Sequence, residues 1–480
     1  MSLQQMAGVL IGCFAFLGLP AGAQPLAPDQ ASAVRYDAHV IARVDATTPE
    51  DLALLESLGA RMVSCELSPQ GGDFVLSVGA LAELRNAGYR AEVTCNDAQA
   101  LLDAEATRIR ASLERYRQRG EDELFFDDYR PLPEIDAFID DLIARRPDLV
   151  SRFIIGYSHE GRPIWGMRIS SGKSGCKPAF LLNGVTHARE WLTVMNVLYL
   201  ADHLVTNEGV DPVVTDLVER VEWFIIPVLN PDGYHYTWTT DRFWRKNRRE
   251  PPESRPTSWG VDPNRNYAHR WGRPGSTANP NSGTYRGPAP FSEPETAALR
   301  DFALANPQIR AHNDVHSYGN YVLFPWCQQT EEAPDHAEYA ALGDAMRQLI
   351  VDADGGNWRV GPVSTTLYLV SGGSVDWFYT QTDAVSFSYE LRGGSFAPGA
   401  SQIIPGSRET IGATLHHAAY VADRSSFRAD LDGDCDFDYD DIIAFLAAYV
   451  SGEPDADFSP DGSFDIDDVL AFIEAFASMS

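Results

Sequence analysis

Cysteine is scarce in this chain, and the few present do not group. Six occur in 480 residues, and five remain if the first 23 residues are removed: Cys65, Cys95, Cys176, Cys327 and Cys435. An odd set at such wide spacings excludes a disulfide framework, and only Cys65 and Cys95 offer a pairing, within the N-terminal region. Positive charge is also sparse, with 38 Lys and Arg against 68 Asp and Glu, a net charge of −30. No basic stripe with interleaved aromatics occurs, which argues against nucleic acid as a partner. Long apolar runs are lacking too. Residues 6–19 are apolar but fall short of the roughly 20 residues that a membrane helix needs, and no Lys or Arg precedes residue 20. With Ala21-Gly22-Ala23 behind it, this run predicts a signal peptide over residues 1–23 rather than a membrane span. Leu10-Ile11-Gly12-Cys13 offers a lipoprotein box, but seven more largely apolar residues come after Cys13, which favours cleavage after Ala23. The expected location is secreted or extracellular, whether periplasmic, free or at the cell surface.

What remains is ordinarily globular: 44% hydrophobic and 11% aromatic residues supply a sizeable core, and the length suggests two to four units. Residues 24–120 begin with the order strand, helix, strand, strand, helix, strand over 34–95, which predicts a small α+β open sandwich. A charged connecting helix comes next, from Asp97 to about Arg119, with basic sites open to proteolysis. Residues 121–424 alternate apolar strands (Val221 to Val228, Ile309 to Val315, Ala384 to Glu390) with amphipathic helices such as Glu293 to Asn306. That alternation predicts an α/β fold with a mixed, largely parallel twisted sheet flanked by helices. The polar stretch from Thr237 to Pro290, rich in Pro, Gly and Asn, reads as functional loops.

Residues 425–480 concentrate the acid, with 13 Asp and 2 Glu against one Arg. Two segments repeat at an offset of 27 positions, residues 430–441 and 457–468. Asp430, Asp432, Asp434 and Asp441 stand at positions 1, 3, 5 and 12 of a calcium loop, and Asp457, Ser459, Asp461 and Asp468 repeat the pattern. The carbonyls of Asp436 and Ser463 complete each set. Gly462 supplies the sharp turn at position 6 of the second loop, where Cys435 stands in the first. Each loop precedes an apolar helix, so a small α-helical paired module holding two calcium ions is expected, against the plainer reading of a solvated acidic tail.

The chemistry concentrates at His187-Ala188-Arg189-Glu190, answered by His316 and Glu390. Two imidazoles and a carboxylate are the ligand set of a catalytic zinc that keeps an open position for water. The segment lies between a buried-type strand, Phe180 to Asn183, and a helical pattern that starts at Trp191. Open α/β sheets place ligands on such strand-to-helix loops. His312 rivals His316 on the same strand face. Glu390 ends another buried-type strand, where a carboxylate is costly unless paired or working. A salt bridge to Arg392 is the structural alternative.

Six segments in order carry a resemblance. They are His187-Ala-Arg-Glu190, Phe243-Trp-Arg-Lys246, Asp262-Pro-Asn-Arg-Asn266, His316-Ser-Tyr318, Tyr368 to Ser374 and Tyr389-Glu-Leu-Arg392. Residues 121–424 resemble a zinc carboxypeptidase of the carboxypeptidase A (M14) family, and residues 24–120 resemble that family's activation peptide. The resemblance implies one zinc on His187, Glu190 and His316, with Glu390 as general base and His312 as an interior residue. It implies Arg245 as the group stabilising the oxyanion. It also implies a peptide-binding set of Asn264 and Arg265 for the terminal carboxylate, Tyr368 as a closing tyrosine, and Arg189 and Tyr318 in the cleft. Val375 falls at the floor of the specificity pocket, where an Asp selects basic ends, so valine implies aromatic or large aliphatic ones. Cys327 departs from the glycine of vertebrate relatives, and the cysteines of their loop disulfide are missing.

The acidic repeat resembles a type I dockerin, which implies a cohesin-like partner. The expected function is a secreted zinc metallocarboxypeptidase made as a latent proenzyme. The alternatives are a peptidoglycan stem-peptide hydrolase of the same family, or an inactive calcium-dependent binding protein.

Overall fold

Thr48 and Ser77 set the first two helices. The Thr48 hydroxyl accepts from Asp51 N at 3.2 Å while the Asp51 carboxylate takes the Thr48 N–H at 2.9 Å, a capping box. Ser77 caps the second helix through Ala80 N at 3.1 Å. These helices, Pro49–Ser57 and Val78–Asn86, link β1 (His39–Val44), β2 (Arg61–Met62), β3 (Gly72–Ser77) and β4 (Ala91–Cys95). The strands form an antiparallel sheet in the order β2-β3-β1-β4, closed over Val40, Val44, Leu55, Phe74 and Leu84. The element order agrees with the reading of residues 34–95.

The computed structural model describes residues 34–63, 71–119, 122–171, 177–354, 356–382, 384–395, 397–424, 426–431, 437–459 and 461–477. The leader read at 1–23, Cys65, Cys176, and Asp432, Asp434, Cys435 and Asp436 lie outside the described residues. Cys95, the suggested partner of Cys65, directs its thiol at the Asp97 carbonyl, 3.3 Å away, and forms no disulfide among the described residues.

The large sheet comprises β5 (Val150–Tyr157), β6 (Pro163–Ile169), β7 (Ala179–Asn183), β8 (Glu222–Ile226), β9 (Ile309–Ser317), β10 (Tyr321–Phe324), β11 (Arg359–Pro362) and β12 (Val385–Leu391). Their order is β11-β10-β12-β9-β7-β8-β6-β5. The centre, β12-β9-β7-β8, is parallel, and antiparallel pairs flank it. Central strands buried on both faces need apolar residues at every position. Phe180 and Leu182 accordingly face one core and Leu181 the other, as do Trp223 and Ile225 against Phe224 and Ile226. Helices Leu132–Arg145, Trp191–Asn207, His336–Asp354 and Ile403–Arg424 cover the first face. Pro294–Ala305 and Ser374–Gln381 cover the second. Burying one large apolar side chain contributes about 1.5–3 kcal/mol, so these two cores dominate the stability.

The helix Ala98–Arg119 ties the N-terminal unit down. Its Glu105 pairs with Arg242 at 2.8 Å with both side chains buried, and Arg242 lies 3.6 Å above the Trp191 ring. Arg108 adds a contact to Asp128 at 2.7 Å. At the other end, helices Tyr439–Ser451 and Ile466–Ala477 pack through Phe445 and Phe472, stacked at 4.0 Å. Among the described residues no helix is long and apolar enough to cross a membrane.

Candidate metal centre and cleft

Three donors converge where β7 and β9 end. After Asn183 the chain turns through Val185, a β-branched residue at φ 51°, a left-handed conformation that costs of order 1–3 kcal/mol. Two hydrogen bonds hold it there: Val185 N–H donates to Thr193 Oγ1 at 2.9 Å, and its carbonyl accepts the Asn230 N–H at 3.1 Å. The turn delivers His187 and then Glu190, which precedes the helix Trp191–Asn207. His316 comes from β9. His187 Nδ1 lies 2.9 Å from Glu190 Oε1, and His316 Nδ1 lies 3.0 Å from His187 Nδ1 and 3.2 Å from Glu190 Oε2. All three residues are buried.

The outer nitrogens explain why these atoms face one another. His187 Nε2 is 3.1 Å from Asp262 Oδ1, and His316 Nε2 is 3.0 Å from Asp314 Oδ2. A carboxylate on Nε2 fixes the hydrogen there and leaves Nδ1 as a bare acceptor. Two such acceptors and a carboxylate at 3 Å repel unless a cation lies between them, so the donor set fits a zinc ion. The negative charge around these nitrogens favours a cation among them. Burial would lower His316, but Asp314 and Glu190 outweigh it and raise it well above the usual range. Burial likewise pushes Glu190 up, yet His187 and His316 hold it below the usual carboxylate range.

Glu390 stands beside this cluster because β12 runs parallel to β9 with Glu390 paired to His316. It is 5% exposed, and its Oε2 has no hydrogen-bond partner among the described residues. Burial first, and then the charge of Glu190, push its carboxyl up to about 8. Arg392 is not its partner, since that guanidinium turns to Glu409 Oε2 at 2.7 Å.

The polar loops between residues 240 and 290 supply the cations. Arg245 grips Asp262 Oδ2 at 3.0 Å and lies 3.8 Å from Glu190 Oε1. Asn264 receives the Ser374 N–H at 2.9 Å and lies 3.2 Å from His316 Nε2. Arg265 is buried, held by the Gly275 carbonyl at 2.7 Å and 3.9 Å from Asp262. Val375 and Cys327 sit in an apolar cluster with Leu323, Val363 and Val370, partly covered by Tyr368. Beside them the Asp376 carboxylate is engaged by the Cys327 N–H at 2.7 Å. Arg189 donates to the Met62 carbonyl at 2.9 Å, and the Tyr318 hydroxyl donates to Asp73 at 2.8 Å, so both touch the N-terminal unit.

His312 is an interior histidine. Ser386 Oγ at 2.8 Å and Asn183 Oδ1 at 3.2 Å take its nitrogens, Phe378 stacks on it at 3.6 Å, and burial pushes it down to about 3. Sequence reasoning missed Asp314 and gave Asp262 no role. The available signal was alternation: residues 312, 314 and 316 share one face of β9.

In the C-terminal pair, position 9 repeats one contact. Asp438 N donates to Asp441 Oδ2 at 3.0 Å, and Asp465 N donates to Asp468 Oδ2 at 2.9 Å. Gly462 has φ 77° and donates to Asp457 Oδ2 at 2.9 Å. Asp461 N meets Asp457 Oδ1 at 3.2 Å, and Ser459 Oγ meets Asp468 at 2.9 Å. Asp430 and Ser463 are the remaining described members of the two loops.

Residues 135–413 match the family model described as zinc carboxypeptidase. Carboxypeptidase A2 of Mus musculus is 37% identical over 331 residues, covering 68% of this chain and 78% of the relative. A zinc carboxypeptidase of Simulium vittatum is 37% identical over 59% of this chain and 93% of its own length. Among solved structures, carboxypeptidase A from Helicoverpa armigera superposes with a TM-score of 0.71 at 27% identity, covering 81% of this chain and 98% of that one. Thrombin-activatable fibrinolysis inhibitor superposes at 0.72 with 26% identity, covering 80% and 99%. The convergent donors, the buried carboxylate beside them and these matches lead to one conclusion: the chain belongs to the zinc carboxypeptidase family and is a metallocarboxypeptidase of the carboxypeptidase A type.

Proposed function

We propose that this metallocarboxypeptidase removes apolar C-terminal residues from peptides, is secreted, and is held latent by its N-terminal unit. The observation that carries the catalytic part is Glu390, a buried carboxylate with an unpartnered oxygen beside a set of donors that requires a cation. When bound there by His187, Glu190 and His316, zinc polarises the scissile carbonyl and makes water a better acid. Glu390 takes the proton from the attacking water and passes it to the leaving amine. Arg245, held on Asp262, faces the oxyanion as it develops. Asn264 and the Arg265 fork bind the terminal carboxylate, and Tyr368 closes over the bound residue. Arg189 and Tyr318 complete the peptide-binding cleft.

No observation favours the alternatives. The ligand set and Glu390 are complete, contrary to an inactive binding protein, and cell-wall-binding repeats are not visible in the sequence.

Replacing Glu390 by Gln is expected to lower kcat by about 10²-fold or more with zinc content unchanged, because only proton transfer is lost. The base works when ionised, so kcat/KM should rise with pH through its pKa. Burial pushes that limb up and the charge of a bound zinc ion would draw it down, so the limb is expected below about 8. Near-normal turnover of the variant, measured beside metal analysis, refutes the assignment.

The pocket reading rests on Val375 and Cys327 in an apolar cluster, where an unpaired ammonium would cost several kcal/mol. Blocked peptides ending in Phe should therefore be cleaved faster than those ending in Arg, and Val375→Asp should shift the preference towards Arg. A wild type that already prefers Arg ends this reading.

Latency is supported by a cavity of about 920 Å³ walled by Thr48, Arg61 and Met62 on one side and Arg189, Phe243 and Arg245 on the other. The superposed structures also cover a larger share of this chain than residues 121–424 make up. Cleavage near Arg117 or Arg119 should raise activity severalfold in a continuous peptide assay with added trypsin. An intact chain as active as the treated one contradicts the proposal.

The repeated contacts of Asp441 and Asp468 and the turn at Gly462 support two calcium sites, with a cohesin-like module as the expected partner. Calorimetric titration of the full chain should count two calcium ions, and Asp468→Ala should leave one. No heat of binding at millimolar calcium leaves the acidic tail merely solvated.

A further inference from the structure

A second group of donors lies outside the catalytic centre. His159 stands in the turn between β5 and β6. Glu293 and Glu295 open the helix Pro294–Ala305. One donor atom from each lies within 4.8 Å of the others. His159 Nε2 is 2.8 Å from Glu293 Oε2, with the imidazole 24% exposed and the Glu293 carboxylate fully buried. A single amide bridges the two carboxylates: Asn247 Nδ2 donates to Glu293 Oε2 at 2.8 Å and to Glu295 Oε2 at 2.9 Å. Arg249 and Ser292 are committed to Glu293 Oε1, at 2.9 and 2.6 Å.

Glu295 is left exceptional. Its residue is fully buried, and its Oε1 has no hydrogen-bond partner among the described residues. Burial pushes its carboxyl above the ordinary range, and the charge that opposes this most is His159. Arg249 already pairs with Glu293, so the charge lacking a fixed cation is that of Glu295, which a protonated His159 or a bound cation would answer. The catalytic reading does not use these residues.

We propose that His159, Glu293 and Glu295 form a second divalent-cation site, suited to zinc-like ions. One imidazole and two carboxylates match the borderline ions that take nitrogen and oxygen together. The ion takes His159 Nε2, Glu293 Oε2 and the vacant Glu295 Oε1, and it reaches the site from solvent past the imidazole. A proton shared by the same groups is its competitor, so affinity falls as pH falls.

The site also connects to the catalytic loops. Asn247 Oδ1 accepts the Val261 N–H at 2.8 Å, and Asn247 N donates to the Val261 carbonyl at 3.0 Å. Val261 precedes Asp262, the carboxylate on His187 Nε2. An ion that fixes Glu293 and Glu295 therefore fixes the amide that positions this loop.

The test is equilibrium dialysis of the full chain against micromolar zinc, with millimolar calcium present to occupy the acidic module, followed by metal analysis. The wild type should carry two zinc ions per chain, and His159→Ala and Glu295→Gln should each carry one. His159 lies in an exposed turn, so its replacement leaves both cores intact, and circular dichroism verifies the fold. The second ion should bind roughly tenfold or more weakly at pH 6 than at pH 8. Glu390→Gln should keep both ions, which separates this site from the catalytic assignment. Equal zinc in wild type and His159→Ala overturns the proposal, and the cluster is then a proton-sharing triad.

Discussion

Two buried carboxylates, Asp262 and Asp314, organise the centre of this protein. Each takes the outer nitrogen of one histidine, and that contact turns both inner nitrogens towards Glu190. Neither carboxylate serves one partner only. Asp314 also receives Asn183 Nδ2 at 2.6 Å, Thr186 Oγ1 at 2.9 Å and Ser374 Oγ at 2.5 Å. Asp262 receives the Asn264 N–H at 2.9 Å and grips Arg245. Removing one partner of a buried charge costs about 3–5 kcal/mol, so these carboxylates bind the sheet, the metal ligands and the polar loops into one unit. The two histidines and Arg245 are thus held by the same two carboxylates.

The sheet supplies the second constraint. Its parallel centre brings the C-terminal ends of β7, β9 and β12 to one edge, the place where such sheets hold ligands. Strand pairing then fixes distance without a dedicated scaffold, because Glu390 pairs with His316 along the ladder. A one-residue slip of β12 would turn Glu390 to the opposite face. The sheet register is thus part of the site.

Much of this was legible before the fold was known. Apolar runs such as Phe180 to Asn183 and the short spacing from His187 to Glu190 are local, and local patterns survive in a linear reading. His312 and His316 share one strand face, so the residues alone left them rivals, and only the family resemblance implied an interior His312. Asp314 escaped because nothing local separates an orienting carboxylate from any polar residue on a strand. The bonds from Arg189 to Met62 and from Tyr318 to Asp73 escaped for another reason: they join units 127 and 245 residues apart, and docking geometry decides them. His159 met Glu293 across 134 residues for the same cause. The pairing of Cys95 with Cys65 falls outside the described residues, among which only the turn of the Cys95 thiol to the Asp97 carbonyl is seen.

Those contacts of Arg189 and Tyr318 couple two properties that would otherwise vary independently. Both side chains spend hydrogen-bonding groups on the N-terminal unit within the cleft assigned to substrate. A peptide that needs either group must displace the N-terminal unit from it, and by reciprocity the N-terminal unit must displace the peptide. Substitutions that sharpen the hold of these two residues on one occupant therefore also alter their hold on the other. If the cleft binds peptide as proposed, drift at Arg189 or Tyr318 is confined from two directions, whereas Asp73 answers to Tyr318 and to Arg43 of its own unit.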